Sequence, residues 1–455
     1  MPDLKTIDVL DILQRSLNSI DSRLVDHGSR VAYMVYRMMR ESGEYDEEYE
    51  KEIVFITLLH DIGAYKTEEI DRMMEFESAN IWDHSIYGYL FLKHLTPFAK
   101  TAPAVLFHHT NYCDLVNIDA DIQHKKVAQL IHIADRADTY IFAERNRFDI
   151  DVLRREEGLR FSGEALGLFH RAQEKENMIN KITDGSYKGE FRELLRQSEF
   201  SPDKVYTLLT TAMFAIDFRS VHTVTHTITT MEISDEIAKQ LGITGEEADK
   251  LHLGALLHDM GKIAIPIEIL ENPDRLSPEE MAVMRTHVDI TEKIIGNSID
   301  REIKENAIRH HEKMDGSGYP RGLTAQELTT AQKIVGVADI ISALRGTRSY
   351  KKAYPKEKIL SILNDMLKKQ KLDSQIVETV RKRFDSIMQC VDQKCAPIIQ
   401  LYQTIISKHQ PGIYGAFRAA VGARKTVKRA KGPKTNYSQN TSFANSYCNK
   451  QPEVL

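Results

Sequence analysis

The chain has 455 residues, 42% of them hydrophobic and 28% charged, an ordinary composition but too long for one ordinary domain, so two or three are expected. A formal net charge of −5 excludes whole-protein attraction to nucleic acid or acidic lipid, and no run of eighteen apolar residues is present to span a membrane. The opening MPDLKTIDVLDILQ lacks the basic-then-apolar order of a signal peptide, and the four cysteines match neither a redox CxxC nor a zinc ribbon, so a reduced, cytoplasmic protein is expected.

In chain order, the first stretch carries His27, then His60-Asp61 inside LLHDIG, then His84, His108-His109 and Asp135. Residues 144–215 are charged and helix-prone, broken at Gly163, Gly167 and Asp184-Gly185, and read as a helical connector or the closing helices of what precedes. His226, Thr230, Ile233, Ile237 and Leu241 then recur on one helical face. His258-Asp259 follows inside LLHDMG, and Ser277-Pro278-Glu279-Glu280 marks a helix start. His287 and His310-His311 come next, Thr324-Ala325-Gln326-Glu327 repeats the capping-box pattern, and Asp339 completes the series. With thirteen prolines and almost no alternating apolar runs, the expected fold is all-α.

Residues 27–138 and 226–342 therefore hold one ordered set twice: a lone His, His-Asp, a lone His, His-His and Asp. Nearly the same gap separates His27 from His60 and His226 from His258. A single histidine on an apolar helix face is usually a hydrogen-bonded core residue, but ten of the seventeen histidines fall into these two sets. Imidazoles and carboxylates without cysteine are the donors that suit manganese or iron. An aspartate shared between two such ions, one through each oxygen, is how a helical bundle builds a centre that activates water for phosphoryl transfer. The spacing of His222 and His226 matches a zincin helix, but no glutamate follows the first to act as base, so that reading is dismissed. His222 is instead placed beside the second pocket.

The runs LLHDMGKIAIP (256–266), HHEKMDGSGYP (310–320), VADIISAL (337–344) and RSYKKAY (348–354), with His287 between them, resemble the HD-GYP family over residues 217–375. The resemblance implies two tandem HD-type helical domains, the second an HD-GYP domain that hydrolyses cyclic di-GMP to pGpG and GMP. It implies one metal on His226, His258, Asp259 and Asp339, and a second on Asp259, His287, His310 and His311. Lys262 would touch the scissile phosphate. The loop residues Asp315, Gly318, Tyr319 and Pro320 would face the dinucleotide. Arg348 and Lys351 stand where the family contacts the other phosphate or a base, with a solvated basic face as the equal alternative. Relatives that bind a third metal use positions occupied here by His222 and Ser342, so two divalent ions, manganese or iron, are expected.

The first copy is similar to the wider HD superfamily. It keeps the metal set His27, His60, Asp61, His84, His108, His109 and Asp135, for one or two ions, and Asp138 supplies the carboxylate that Ser342 does not. Ala64 replaces the lysine, with Lys66 two residues on, and TNYCDLVNID replaces the GYP loop. A metal-binding domain that has lost this substrate and regulates or dimerises is the preferred reading, with hydrolysis of another phosphate ester left open. The expected divisions are 1–150 for this copy, 151–215 for the connector, 216–405 for the HD-GYP domain and 406–455 for a basic, disordered tail. Ile413, Phe417 and Val421 share a helical face in that tail and allow weak membrane or acidic-partner contact, while stable nucleic-acid binding is not expected. A homodimer is compatible with this reading. The competing readings are a non-catalytic signalling adaptor and a phosphodiesterase for another cyclic dinucleotide such as cyclic GMP-AMP.

Overall fold

The computed structural model describes residues 4–19, 25–64, 83–143, 149–217, 225–272, 274–346 and 353–409. Lys66, His222, Arg348, Lys351 and the basic tail beyond residue 409 lie outside the described residues, while 406–409, expected to begin that tail, continue a helix. Within them the principal elements are helices, and extended backbone pairs only at two isolated bridges, Glu157 with Phe161 and Asp315 with Thr324. No helix among the described residues is long and apolar enough to cross a membrane.

The first repeat is built from α1 (Thr6–Asn18), α2 (His27–Ser42), α3 (Glu47–Leu58), α4 (Asp83–Leu95) and α5 (Ile122–Ala143), with α6 (Gly163–Glu176) packed across α2 and α5. The second uses α7 (Pro202–Asp217), α8 (His226–Gln240), α9 (Glu246–Leu257), α10 (Pro278–Ile295), α11 (Arg301–Ile308) and α12 (Thr330–Arg345). Across α8 and α12 lies α13 (Ser374–His409), in the place that α6 takes in the first repeat. Of the segment expected to be a helical connector or the closing helices of the first copy, α6 closes the first repeat, and α7 leads into the second as α1 leads into the first.

Local chemistry starts these helices where the metal ligands need them. Ser277 accepts from the Glu280 N–H while Glu280 accepts from the Ser277 N–H, a complete capping box at the head of α10. The expected start at Thr324 is corrected by the structure. Glu327 does accept from the Thr324 N–H and hydroxyl, but the chain there makes a turn. The helix begins at Thr330, behind a capping box between Thr329 and Gln332.

The glycine after each His-Asp pair has a steric reason. Asp259, two residues past the end of α9, leads into a 3₁₀ turn, Met260–Ala264, that lies directly on α10. A Cβ at Gly261 would stand 1.9 Å from the His287 carbonyl oxygen, and one at Gly63 would stand 2.0 Å from that of His84. Only a bare backbone lets the turn that carries the aspartate lie against the helix that carries the next histidine.

The two repeats pack as a two-fold pair within one chain. α1 crosses to α10 of the second repeat, α7 crosses to α4 of the first, and α1 and α7 pack on each other. Each lead helix also closes the end of the helix it reaches. Arg15 donates from Nε to Ile294 O (2.5 Å) and from Nη2 to Ile295 O (2.9 Å) and Ser298 Oγ (2.7 Å). The Thr211 hydroxyl donates to Leu95 O (2.5 Å). Equivalent surfaces meeting equivalent surfaces is the pattern of an isologous dimer, and one hydrophobic core runs through both repeats.

Two substitutions test this packing. Gly261→Ala is expected to lower stability by about 2–4 kcal/mol in urea unfolding and to weaken metal retention in the second repeat, because backbone must move to admit the methyl. Arg15→Ala is expected to cost about 1–3 kcal/mol in the same measurement, and Arg15→Lys to recover only part of it, since an ammonium lacks the guanidinium fork. An unchanged unfolding midpoint in either alanine variant would contradict the packing described.

Candidate metal centres

The second repeat brings its seven predicted ligands to one point between helices. His226 opens α8, His258 and Asp259 follow α9, His287 lies in α10, His310 and His311 follow α11, and Asp339 lies in α12. Asp259 divides its oxygens between two groups. Its Oδ2 lies 3.3 Å from His226 Nε2 and 3.1 Å from His258 Nε2, and its Oδ1 lies 3.5 Å from His287 Nε2 and 3.9 Å from His310 Nε2. Asp339 spans the same division, with Oδ1 3.0 Å from His226 Nε2 and Oδ2 3.7 Å from His311 Nδ1.

The outer nitrogens fix the direction of the inner ones. His258, His287 and His310 each place Nδ1 2.6–2.7 Å from the carbonyl three residues earlier, at Ala255, Met284 and Ala307. An N–H donated there leaves the Nε2 lone pair aimed inward, as a metal-binding histidine requires. His226 Nδ1 meets Ser342 Oγ at 2.9 Å, so Ser342 orients a ligand rather than serving as one. His258 Nε2 and Asp259 Oδ1 are buried and have no hydrogen-bond partner among the described residues. Orphaned donor atoms converging from two sides of a shared carboxylate fit a pair of divalent cations.

Electrostatics set the metal-binding state at all but one of the groups whose values are shifted. Burial pushes the Asp259 carboxyl up, but His258 and Lys262 beside it hold it well below the usual range. Asp339 is likewise pulled well below that range against burial, by His226 and then His311. Burial drives His310 well down and His311 down to about 3, so both stay neutral. His226 is the exception: burial opposes its charge, yet Asp259 and Asp339 lift it to about 9. Ionised carboxylates and neutral imidazoles are the ligand forms a cation needs.

A cavity of about 660 Å³ stands over this cluster, with His226, His287, His311, Asp339, Lys262 and Tyr319 among its lining. Lys262 Nζ lies 2.5 Å from Asp259 Oδ2; burial lowers its pKa, but Asp259 outweighs this and the ammonium is held above its usual value. The Tyr319 ring packs against His311, centroids 4.6 Å apart, and carries the Arg285 guanidinium 4.9 Å above it. Of the loop residues expected to face a ligand, only Tyr319 lines the cavity. Asp315 accepts from the Ser317 N–H and hydroxyl, and Gly318 passes so close to Glu312 that a Cβ would stand 2.4 Å from its Cα. Pro320 follows through a cis peptide bond. These three shape the loop that presents Tyr319.

The first repeat reproduces the arrangement atom for atom. Asp61 Oδ2 faces His27 (3.5 Å) and His60 (3.4 Å), and Oδ1 faces His84 (3.6 Å) and His108 (3.8 Å). Asp135 Oδ1 lies 3.4 Å from His27 Nε2, and Oδ2 lies 3.4 Å from His109 Nδ1. His60 and His108 place Nδ1 on the carbonyls of Thr57 and Val105. Both oxygens of Asp61 and Nε2 of His60, His108 and His109 are buried without a hydrogen-bond partner among the described residues, so this set also fits a cation.

Two arginines, missed in the sequence, distinguish the first centre. Arg136 donates from Nε (3.0 Å) and Nη2 (2.8 Å) to Asp135 Oδ2, the oxygen that faces His109, where the second repeat has Ile340. Arg30 forks onto Asp138 at 2.6 and 2.9 Å, and Asp138 also meets His27 Nδ1 at 2.7 Å. The reading of Asp138 as a spare metal ligand is therefore corrected: its carboxylate is committed to Arg30 and to orienting His27. Ala64, buried, supplies no cation where Lys262 stands.

Comparison with known proteins agrees with this architecture. Residues 24–140 and 211–376 each match a family model described as HD domain, and together they take in more than half of the chain. The chain is 27% identical over 390 residues to "3′3′-cGAMP-specific phosphodiesterase 1" of Vibrio cholerae, covering 81% of this chain and 89% of that protein. It is 39% identical over 152 residues to "Cyclic di-GMP phosphodiesterase response regulator RpfG" of Xanthomonas campestris pv. campestris, covering 33% of this chain and 40% of that one. Its fold is similar to the crystal structure of a cyclic GMP-AMP specific phosphodiesterase of Vibrio cholerae, with a TM-score of 0.55 at 16% identity over 84% of this chain and 98% of that chain. With two ligand sets of one pattern in two matched segments, the chain belongs to the HD-domain family and carries two HD domains in tandem, the second with the HD-GYP motif.

Proposed function

We propose that the second domain is a metal-dependent phosphodiesterase that opens cyclic di-GMP to linear pGpG and then GMP, in the cytoplasm. The observation that carries this is the coincidence, in the lining of one cavity, of the ligand cluster around Asp259, the Lys262 ammonium and the Tyr319 ring. The seven ligands would hold two divalent cations, manganese or iron for a donor set of nitrogen and oxygen, and these would supply an activated water and neutralise charge on an in-line phosphoryl displacement.

The side chains do the rest. Lys262 stands at the cluster as a fixed positive charge and pairs with a phosphate oxygen as negative charge builds there. Tyr319, packed by His311 and Arg285, presents part of its ring in the cavity lining to a base or ribose. The bond from phosphorus to the 3′ oxygen breaks as that from phosphorus to water forms, which leaves a 5′-phosphate on a linear dinucleotide. Cyclic GMP-AMP is the second reading, favoured because the Vibrio relative that aligns through both domains is named for that substrate. The first domain is proposed to bind a cation without turning over a cyclic dinucleotide: it lacks the lysine, and Arg136 holds one of its ligand oxygens.

Asp259→Ala is expected to lower cyclic di-GMP turnover by about a thousandfold or more and to remove the metals of the second domain, read by elemental analysis. Asp61→Ala is expected to lower metal content while turnover stays within about tenfold, the two centres being separate sites. The opposite pattern would assign catalysis to the first domain. Lys262→Met should retain its metal and lose about 10²–10³-fold in kcat; a normal kcat would remove the lysine from the chemistry.

A further inference from the structure

The cavity over the second centre has a wall that the HD motif does not supply. One flank is apolar, from Leu270 and Leu276 before α10 and Met281 and Met284 within it. The opposite flank is α13, through Val391, Asp392, Cys395 and Ile399, all beyond residue 376 where the HD-domain match ends. α13 packs along α8 and α12 and reaches α4 of the first domain, the helix that holds His84. The first domain thus helps to hold this wall in place.

One polar pair closes the slot between the flanks. Asp339, Ser342 and Arg345 succeed one another at three-residue spacing on α12 and all line the cavity. Arg345 is six residues beyond the ligand, about 9 Å along the helix axis, the reach of one nucleoside from its phosphate. Its Nη2 meets Asp392 Oδ2 at 2.6 Å. A guanidinium has five N–H donors and a carboxylate two oxygens, so both groups keep capacity beyond that one bond. Together they offer a donor beside an acceptor at the rim of the cavity, where the Arg345 side chain is 28% and that of Asp392 60% exposed.

We propose that the Arg345–Asp392 pair reads a guanine base of the substrate, so that the C-terminal helix sets base preference while the HD motif sets the chemistry. Guanine presents the O6 acceptor next to its N1–H and N2–H donors, which matches guanidinium and carboxylate in that order. Adenine in the same placement puts its amino group against Arg345 and its bare N1 against Asp392. Both contacts are then wrong, donor against donor and acceptor against acceptor.

The inference rests on the proposed cyclic dinucleotide activity, and the test separates the two. Full-length protein, wild-type, Asp392→Asn and Arg345→Gln, is assayed with manganese on cyclic di-GMP, cyclic di-AMP and bis(p-nitrophenyl) phosphate, which has no purine. Binding of linear pGpG and pApA to the chelator-treated protein is measured alongside by calorimetry. Wild-type protein should prefer cyclic di-GMP to cyclic di-AMP by about a hundredfold or more in kcat/KM. Each variant should lose about tenfold or more on cyclic di-GMP relative to the base-free diester, mainly through KM, and should bind pGpG and pApA more nearly alike. Equal guanine preference in wild type and both variants would overturn the proposal and leave the pair as a rim ion pair only. Absence of turnover on every diester would sink the phosphodiesterase reading, and the two binding isotherms would still decide the base assignment.

Discussion

Asp259 is an ionised carboxylate held out of water, with two imidazoles against one oxygen and two against the other. An uncompensated buried charge costs several kcal/mol, so the surrounding groups have to arrive in a set order and at a set distance. Much of the architecture follows from that demand. α9 has to end just before the aspartate, the next turn has to be a glycine turn lying on α10, and α11 and α12 have to bring two more histidines and Asp339 from the far side. Carbonyls three residues back hold the rings so that their free nitrogens point inward. Lys262 uses the same oxygen as the first imidazole pair, so the group proposed to meet a phosphate is tied to the carboxylate at the centre of the ligand set.

Two such centres in one chain would be redundant if they were equal, and they are not. The first is the more enclosed by positive charge: Arg136 engages a ligand oxygen and Arg30 the carboxylate behind His27. The second has a lysine at the cluster and a cavity above it. The internal two-fold relation explains how they came to diverge without losing each other. Each lead helix is a structural part of the opposite domain, through Arg15 on one side and Thr211 on the other, so neither repeat can be discarded without exposing the other's core. The first domain is thus a structural half of an intrachain pair, and α13, running back to α4, joins it to the cavity of the second.

The ordered histidines and aspartates were legible because their chemistry forces both identity and order, and the repetition within one chain made the order visible. Helix starts were legible where the box used glutamate, as at Ser277, and were misplaced where two boxes lay close together. Thr324 with Glu327 is the stronger local signal, yet the chain needs the glutamate for a turn, and Thr329 with Gln332 starts the helix. Asp138 shows the opposite limit: its position fits a metal ligand, and only its contact with Arg30, distant in sequence, shows that it is committed elsewhere. The wall of α13 could not be read from motifs at all, since nothing in residues 391–399 signals that they face a site built more than fifty residues earlier. Long-range packing of a lead helix onto the wrong repeat leaves no local pattern either.

The central claim is that Asp259 is shared between two cations. Anomalous diffraction from crystals loaded with manganese, recorded near the metal's absorption edge, tests it most directly. Two peaks about 3.5–4 Å apart are predicted, one on the side of His226 and His258, the other on the side of His287, His310 and His311, with the Asp259 carboxylate between them. A single peak, or two peaks of which Asp259 contacts one alone or neither, would contradict the account.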